Sequence, residues 1–151
     1  MNRRDNGVRV LVIPGLHDSG PAHWQTWLQQ RWRGAVRVQQ HDWTRPDLDA
    51  WAARIDETLA RAGPGPWVAV AHSFGCLALA RHLVQNAAAN PVQAALLVAP
   101  ASPSKFGLDG LLPSRPLPLD SCMVASGSDP WMSLTEARAW AQAWRCRFID
   151  L

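Results

Sequence analysis

Apolar and polar positions along this chain follow two periods. Short runs rich in β-branched residues, in which nearly every position is apolar, are separated by stretches where apolar residues recur every three or four positions. Runs of the first kind suit strands buried on both faces, and stretches of the second kind suit helices that lay one face on a core. Their alternation predicts a parallel sheet covered by helices on both sides, a three-layer α/β/α sandwich. Residues 8–13, 36–40, 67–71, 94–99, 122–125 and 146–151 read as six strands.

The helices have recognisable ends. Ser19 can cap a first helix with Pro21 near its first turn, Trp24, Trp27, Leu28 and Trp32 on one apolar face, and Gly34 as its stop. Asp47 can cap a second, in which Leu48, Trp51, Ile55 and Leu59 recur at helical spacing until Gly63. A third, over 75–88, follows the strand 67–71 almost without a loop. Ser133 and Glu136 have capping-box spacing for a fourth that buries Leu134, Ala137, Trp140 and Trp144. Residues 102–121 are proline-rich with little periodicity and read as one long loop, of a kind that is usually functional or disordered. No internal repeat is present.

Composition narrows the class. At 151 residues and 48% hydrophobic content, residues 1–151 suit one domain. The 15 Lys and Arg against 12 Asp and Glu are scattered, with no basic stripe for nucleic acid. Cys76, Cys122 and Cys146 are odd in number and lie in apolar segments, which suits buried thiols in a reducing compartment, hence a cytoplasmic protein. The amino-terminal arginines precede an apolar stretch that Arg9 interrupts and Pro14 and Gly15 end, so it reads as a strand and not a signal peptide. No window reaches the roughly 18 apolar residues of a membrane span.

The chemistry concentrates at the abrupt strand-to-helix junction. Ala71-His72-Ser73-Phe74-Gly75 has the small-x-Ser-x-Gly pattern of a nucleophile elbow, with Ala71 where the common pattern has its first glycine. Such a turn strains the serine backbone, so the residues two away must be small, and it stands the Ser73 hydroxyl at the carboxyl edge of the sheet beside a helix N-terminus. Pro14-Gly15-Leu16 follows the first strand, where the Leu16 N–H can pair with the Phe74 N–H as an oxyanion hole. Ser128-Asp129-Pro130 follows a later strand, where a triad acid belongs, although Asp-Pro is equally a common turn.

These residues resemble the small serine hydrolases that include retinoblastoma-binding protein 9 and the bacterial YdeN-type proteins. The resemblance runs through Pro14-Gly15-Leu16, Ser19-Gly20-Pro21 with His23-Trp24, Ala71 to Cys76, Ala99-Pro100-Ala101 and Ser128-Asp129-Pro130, and so covers nearly the whole chain. It implies an α/β-hydrolase core without a large cap domain, Ser73 as nucleophile, Asp129 as acid, and a histidine in the loop after the last strand. The chain reaches only Leu151, so the expectation is a C-terminal loop and helix missing and turnover impaired. Of the histidines present, His72 should point away from Ser73, His17 and His23 should line the pocket or hold its loop, and His41 and His82 should be surface or packing residues.

The function expected is therefore a carboxylesterase-like serine hydrolase acting on small-molecule esters through a Ser73 acyl-enzyme. No cofactor, metal, nucleic acid or membrane is implied, and nothing in the pattern specifies an oligomeric state. The pocket is expected from the 16–20 loop with His17, Phe74, Trp131 and the 102–121 segment. The alternative reading is a binding protein on a hydrolase scaffold without turnover, but none of the cysteines lies in the Leu-x-Cys-x-Glu setting of a retinoblastoma-pocket ligand. Gly15 and Gly20 have the spacing of P-loop glycines, yet Pro21-Ala22 stands where Lys-Ser or Lys-Thr is needed. His17, Asp18 and His23 meet no standard metal-ligand spacing. The tryptophans at 24, 27, 32, 51, 140 and 144 read as core, and only Trp131 lies beside the proposed site.

Overall fold

The apolar runs pair as strands of one sheet: β1 (Arg9–Ile13), β2 (Val36–Arg37), β3 (Trp67–His72), β4 (Val92–Val98), β5 (Asp120–Ala125) and β6 (Arg147–Asp150). This is the arrangement in the computed structural model, which describes residues 7–151. The part of the amino-terminal reading that rests on residues 1–6 lies outside the described residues. The strand order is β2-β1-β3-β4-β5-β6, and every neighbouring pair is parallel. Four helices connect them: α1 (Trp24–Arg31), α2 (Leu48–Ala62), α3 (Phe74–Gln85) and α4 (Leu134–Trp144).

Alternation along each strand sorts the side chains between two helix layers. Leu11, Ile13, Ala71, Leu97 and Met123 join Trp51, Ile55, Leu77 and Trp144 in the main core under α2, α3 and α4. Val10, Val12 and Val70 meet Trp24 and Leu28 of α1 on the opposite face. Strand register aligns His72, Val98, Val124 and Ile149 as one row across the sheet. With Val70 of the same strand on the α1 side, the period of two puts this row there as well. Ile149 is exposed and the other three are half-buried.

Helix α2 forms as its sequence predicts. The Asp47 carboxylate accepts from the Ala50 N–H at 3.1 Å, and Gly63 ends the helix at φ 87°. Trp51 and Ile55 are fully buried, each contributing about 1.5–3 kcal/mol of transfer free energy.

Helix α1 departs from expectation. It starts at Trp24, and its cap is His23, not Ser19: the His23 Nδ1 accepts from the Gln25 N–H at 3.1 Å. Trp27 and Trp32 are 54% and 41% exposed, so they are not core; the Arg31 guanidinium lies 4.1 Å from the Trp27 ring centre. The residue α1 buries is Gln25. An eight-residue helix laid over β1 and β3 has room for one narrow stripe, and the stripe here centres on the glutamine that satisfies sheet carbonyls.

Other boundaries also shift. β2 has two residues, although Val38 extends its ladder by donating to the Val12 carbonyl at 2.9 Å. α3 stops at Gln85, and Asn86 takes the cap. The 102–121 segment is not an open loop: two short 3₁₀ turns, Pro103–Phe106 and Asp109–Leu111, precede the buried Leu112 and Leu117, and β5 already begins at Asp120. Trp144 fastens it, its Nε1–H donating to the Pro113 carbonyl at 2.8 Å and its carbonyl accepting from Leu117 N–H at 3.1 Å. The capping box is half formed. Ser133 Oγ accepts from the Glu136 N–H at 3.1 Å, while the Glu136 carboxylate accepts from Ser102 Oγ at 2.6 Å. Leu134 and Trp140 are only half-buried. All three cysteines are free; Cys76 is buried, but Cys122 and Cys146 are half-buried. No helix among the described residues is long and apolar enough to cross a membrane.

His82 is a packing residue, 2% exposed, and joins α2, α3 and the turn before β4. Its Nδ1 faces the Asp56 carboxylate and its Nε2 lies 2.9 Å from the Asn90 side-chain amide. The network assigns a neutral ring that donates from Nδ1 and accepts at Nε2. Burial lowers its pKa below 6.5 against the opposing pull of Asp56. The unfolded chain therefore binds this proton more readily, so the stability that the neutral ring contributes is present above about pH 6.5 and declines as pH falls below it. The urea midpoint should fall between pH 7.5 and 5.5, and fall less in His82→Gln; equal slopes in the two proteins would remove His82 from the cause.

Candidate active site

β3 ends at His72 and α3 begins at Phe74, so Ser73 alone makes the turn, with φ 53° and ψ −122°. That left-handed backbone is costly for a residue with a Cβ, and the surrounding bonds hold it there. The Ser73 N–H donates to the Val98 carbonyl of β4 at 3.1 Å, and its own carbonyl accepts from the Cys76 N–H at 3.0 Å. The turn needs Gly75 because a Cβ there would stand 2.5 Å from the Ile13 carbonyl oxygen and 2.6 Å from that of Pro14. It needs Gly15 because a Cβ there would stand 2.9 Å from the Ser73 Cβ and 3.4 Å from the Phe74 nitrogen. Ala71 is fully buried, as its place in the elbow pattern requires.

The chain leaving β1 therefore lies directly on the elbow, which places Leu16 beside Phe74. Among the described residues, neither the Leu16 nor the Phe74 N–H has an internal acceptor. The Phe74 side chain does not line a pocket: it is fully buried, with its ring 5.0 Å from that of Trp51 and 5.2 Å from that of Phe106. Strain gathers at this edge. Of the non-glycine residues with positive φ, His17 at 68°, Asp18 at 63°, Ser73 at 53° and Ala99 at 46° all follow β1, β3 or β4. Each costs about 1–3 kcal/mol, which the rest of the fold must offset.

Asp129 follows the carboxyl end of β5, half-buried. Ser73 and Asp129 follow the carboxyl ends of β3 and β5, with β4 between those two strands. The turn reading of Asp129 is realised: its Oδ1 accepts from the Trp131 N–H at 2.8 Å. That bond occupies one oxygen and leaves the other.

His72 points to the α1 face, away from α3, with its ring 4.7 Å from that of His23 and 6.1 Å from that of Trp24. Burial chiefly, with His23 adding to it, depresses its pKa to about 4 against the pull of Asp129. The ring is thus neutral at pH 7. His23 is lowered by burial and then by Arg37, with Asp18 opposing, and its Nδ1 is taken up by the α1 cap. His17 and His41 are exposed. His17 anchors its loop by the backbone, donating to the Trp43 carbonyl at 2.9 Å. Asp18 pairs with Arg37 at 3.0 Å. Trp131 is 68% exposed, with Lys105 Nζ 5.6 Å from its ring centre and donating to its carbonyl.

A cavity of about 750 Å³ opens between Asp18, Thr26, Trp32 and Arg37, and smaller ones lie beside α2, the turn before β4 and Arg81. Ser73 lines none of these; Asp18, Ser19 and Gly20 of the 16–20 loop line the first of them. The sequence pattern also does not point to Gln25 or Arg37, which tie the loop after β1 to the sheet. The available signals were a glutamine inside an apparently apolar helix stripe and an arginine in an apolar strand, both of which demand partners.

An all-parallel sheet with a serine elbow at its carboxyl edge and paired N–H donors beside it defines an α/β hydrolase. A YdeN-like hydrolase from Pectobacterium atrosepticum shares the fold with a TM-score of 0.89 and 34% sequence identity, over 95% of this chain and 76% of that one. The ydeN gene product of B. subtilis matches at 21% identity and TM-score 0.77, over 95% and 84% of the two chains, and a CIB-like hydrolase from Thermoplasma acidophilum at 16% and 0.71, over 100% and 78%. No curated protein is recognisably similar in sequence. The sequence profile of the serine hydrolase family matches residues 10–151, and this chain belongs to that family.

The elbow contacts set a clear expectation. Gly75→Ala should cost about 3 kcal/mol or more in urea unfolding, because the blocking atoms are backbone. Gly20→Ala, with nothing within 4 Å of the added Cβ, should stay within about 0.5 kcal/mol. Similar losses for the two would mean that the β1-to-α3 contact is looser than described. A second expectation concerns His72, whose ring protons should titrate near pH 4 by NMR. A midpoint near 6.5 would show that the ring is solvated, contrary to its packing.

Proposed function

We propose that the chain hydrolyses small carboxylic esters through an acyl-enzyme on Ser73. The observation that carries this reading is the strained Ser73 backbone beside two N–H groups without internal acceptors. A substrate carbonyl seated there has its oxygen toward Leu16 and Phe74 N–H and its carbon toward Ser73 Oγ. Attack forms the Oγ–C bond as a base takes the hydroxyl proton. The two donors stabilise the oxyanion, and collapse breaks the bond to the alcohol, which leaves with that proton. Water repeats the sequence on the acyl-enzyme, releasing the acid and restoring Ser73.

Asp129 is the acid of this reading, and its charge orients and steadies the base. The family resemblance puts the base after the last strand. β6 runs parallel to β5 with Asp150 beside Ala125, so a residue that follows it emerges at the same sheet edge as Asp129. In this reading His17 and Trp131, both exposed, meet substrate at the rim. The three free thiols support a reducing compartment, the cytoplasm.

Ser73→Ala should remove p-nitrophenyl acetate turnover above the uncatalysed rate, and a fluorophosphonate should label the wild type at Ser73 only. Asp129→Asn keeps an acceptor for Trp131 N–H but loses the charge, and with the base after β6 present it should lower kcat by about 10²-fold or more. Turnover that survives Ser73→Ala would sink the nucleophile assignment, and an unchanged rate in Asp129→Asn would reduce Asp129 to its turn role.

A further inference from the structure

Gln25 is fully buried on a helix whose Trp27 faces solvent. A side-chain amide in that position is costly unless its polar atoms are paired, and here every one is. Its Nε2 donates to the Ile13 carbonyl at 3.1 Å and the Val70 carbonyl at 3.0 Å, while its Oε1 accepts from Ser19 Oγ at 2.5 Å. The Ile13 carbonyl is also the atom nearest to a Cβ added at Gly75, so this amide grips the very oxygen against which the elbow packs.

The two ends of the loop after β1 are thus fixed to one side chain: Ile13 where the loop begins and Ser19 where it closes. The Ser19 end is held further by its carbonyl, which accepts from Arg37 at 2.9 Å, and by its N–H, which donates to Asp18 at 2.7 Å. Leu16 lies between these anchors. The loop carries positive φ at both His17 and Asp18, a conformation that persists only where its ends are held.

We infer that Gln25 is a positioning residue of the oxyanion hole: by clamping Ile13, Val70 and Ser19 together it sets the placement of the Leu16 N–H relative to that of Phe74. The inference rests on the acyl-enzyme reading above. It distinguishes Gln25 from an ordinary core residue, whose loss lowers stability but leaves the rate of each folded molecule unchanged. Oxyanion donors must lie within a few tenths of an ångström of their position, and a misplacement of about 1 Å costs on the order of 10²-fold in rate.

The test uses Gln25→Met, which keeps length and apolar bulk but no hydrogen bonds, and Ser19→Ala, which leaves both carbonyl ties in place. Turnover of p-nitrophenyl acetate and the Kd of phenylboronic acid, whose adduct with Ser73 mimics the tetrahedral oxyanion, are measured per folded molecule. Gln25→Met should lower kcat by about 30- to 100-fold with KM within about threefold, weaken boronate binding by a similar factor, and leave Ser19→Ala in between. Unchanged kcat and boronate affinity, whatever the loss in Tm, would overturn the inference. If Gln25→Met does not fold, Ser19→Ala decides alone, and an unchanged rate there overturns it equally. Ser73→Ala separates the two levels: turnover that persists in that variant defeats the nucleophile reading, whereas Ser73-dependent turnover that ignores Gln25 defeats only the positioning role.

Discussion

Everything at the carboxyl edge depends on how closely the end of β1 approaches the first turn of α3. Two backbone carbonyls, of Ile13 and Pro14, occupy space that any side chain at position 75 would need, and Gly15 lies against Ser73 itself. This contact lets a six-residue strand turn into a helix through one residue, and it forces that residue into left-handed backbone. The same contact brings the Leu16 segment alongside Phe74. Ser73 and the Leu16 and Phe74 N–H groups therefore share one packing event, and neither side can move without the other.

That packing has to be held against strain, and two kinds of interaction hold it. From the main core, Phe74 locks between Trp51 and Phe106, so the first residue of α3 is anchored by rings from α2 and from the 103–106 turn. On the α1 face a polar system does the equivalent work: Gln25 bonds the sheet carbonyls, and Arg37, half-buried in β2, donates to Gln29, Thr26, Asp18 and Ser19. Charge-assisted and fully paired bonds of this kind rigidify a loop that has too few apolar residues to pack itself.

Much of this was legible in the sequence, because the signals involved are local. The elbow at Ser73 follows from small residues at 71 and 75 between an apolar run and a helical repeat, and α2 follows from Asp47, its apolar period and Gly63. The first helix is not legible in the same way, because periodicity counts apolar residues without knowing how much sheet lies beneath them. Trp24, Trp27, Leu28 and Trp32 keep helical spacing, yet the surface they meet takes only part of that stripe and requires an amide for its open carbonyls. The 102–121 segment reads as one long loop because its order comes from distant partners, Trp144 and Glu136, which no local pattern reveals. The mutual placement of Ser73 and Asp129 depends likewise on β4 pairing between them, a fact of topology and not of motif.

Tolerance to change is distributed unevenly as a result. A Cβ at Gly15 or Gly75 collides with backbone or with Ser73, whereas one at Gly127, in the turn that presents Asp129, meets nothing within 4 Å. The scaffold is inflexible around Ser73 and permissive in the turn that carries Asp129. Divergence in substrate range, by drift or by design, can therefore proceed through insertions and exchanges in the turn after β5, while the segment after β1 remains a fixed mould around the serine.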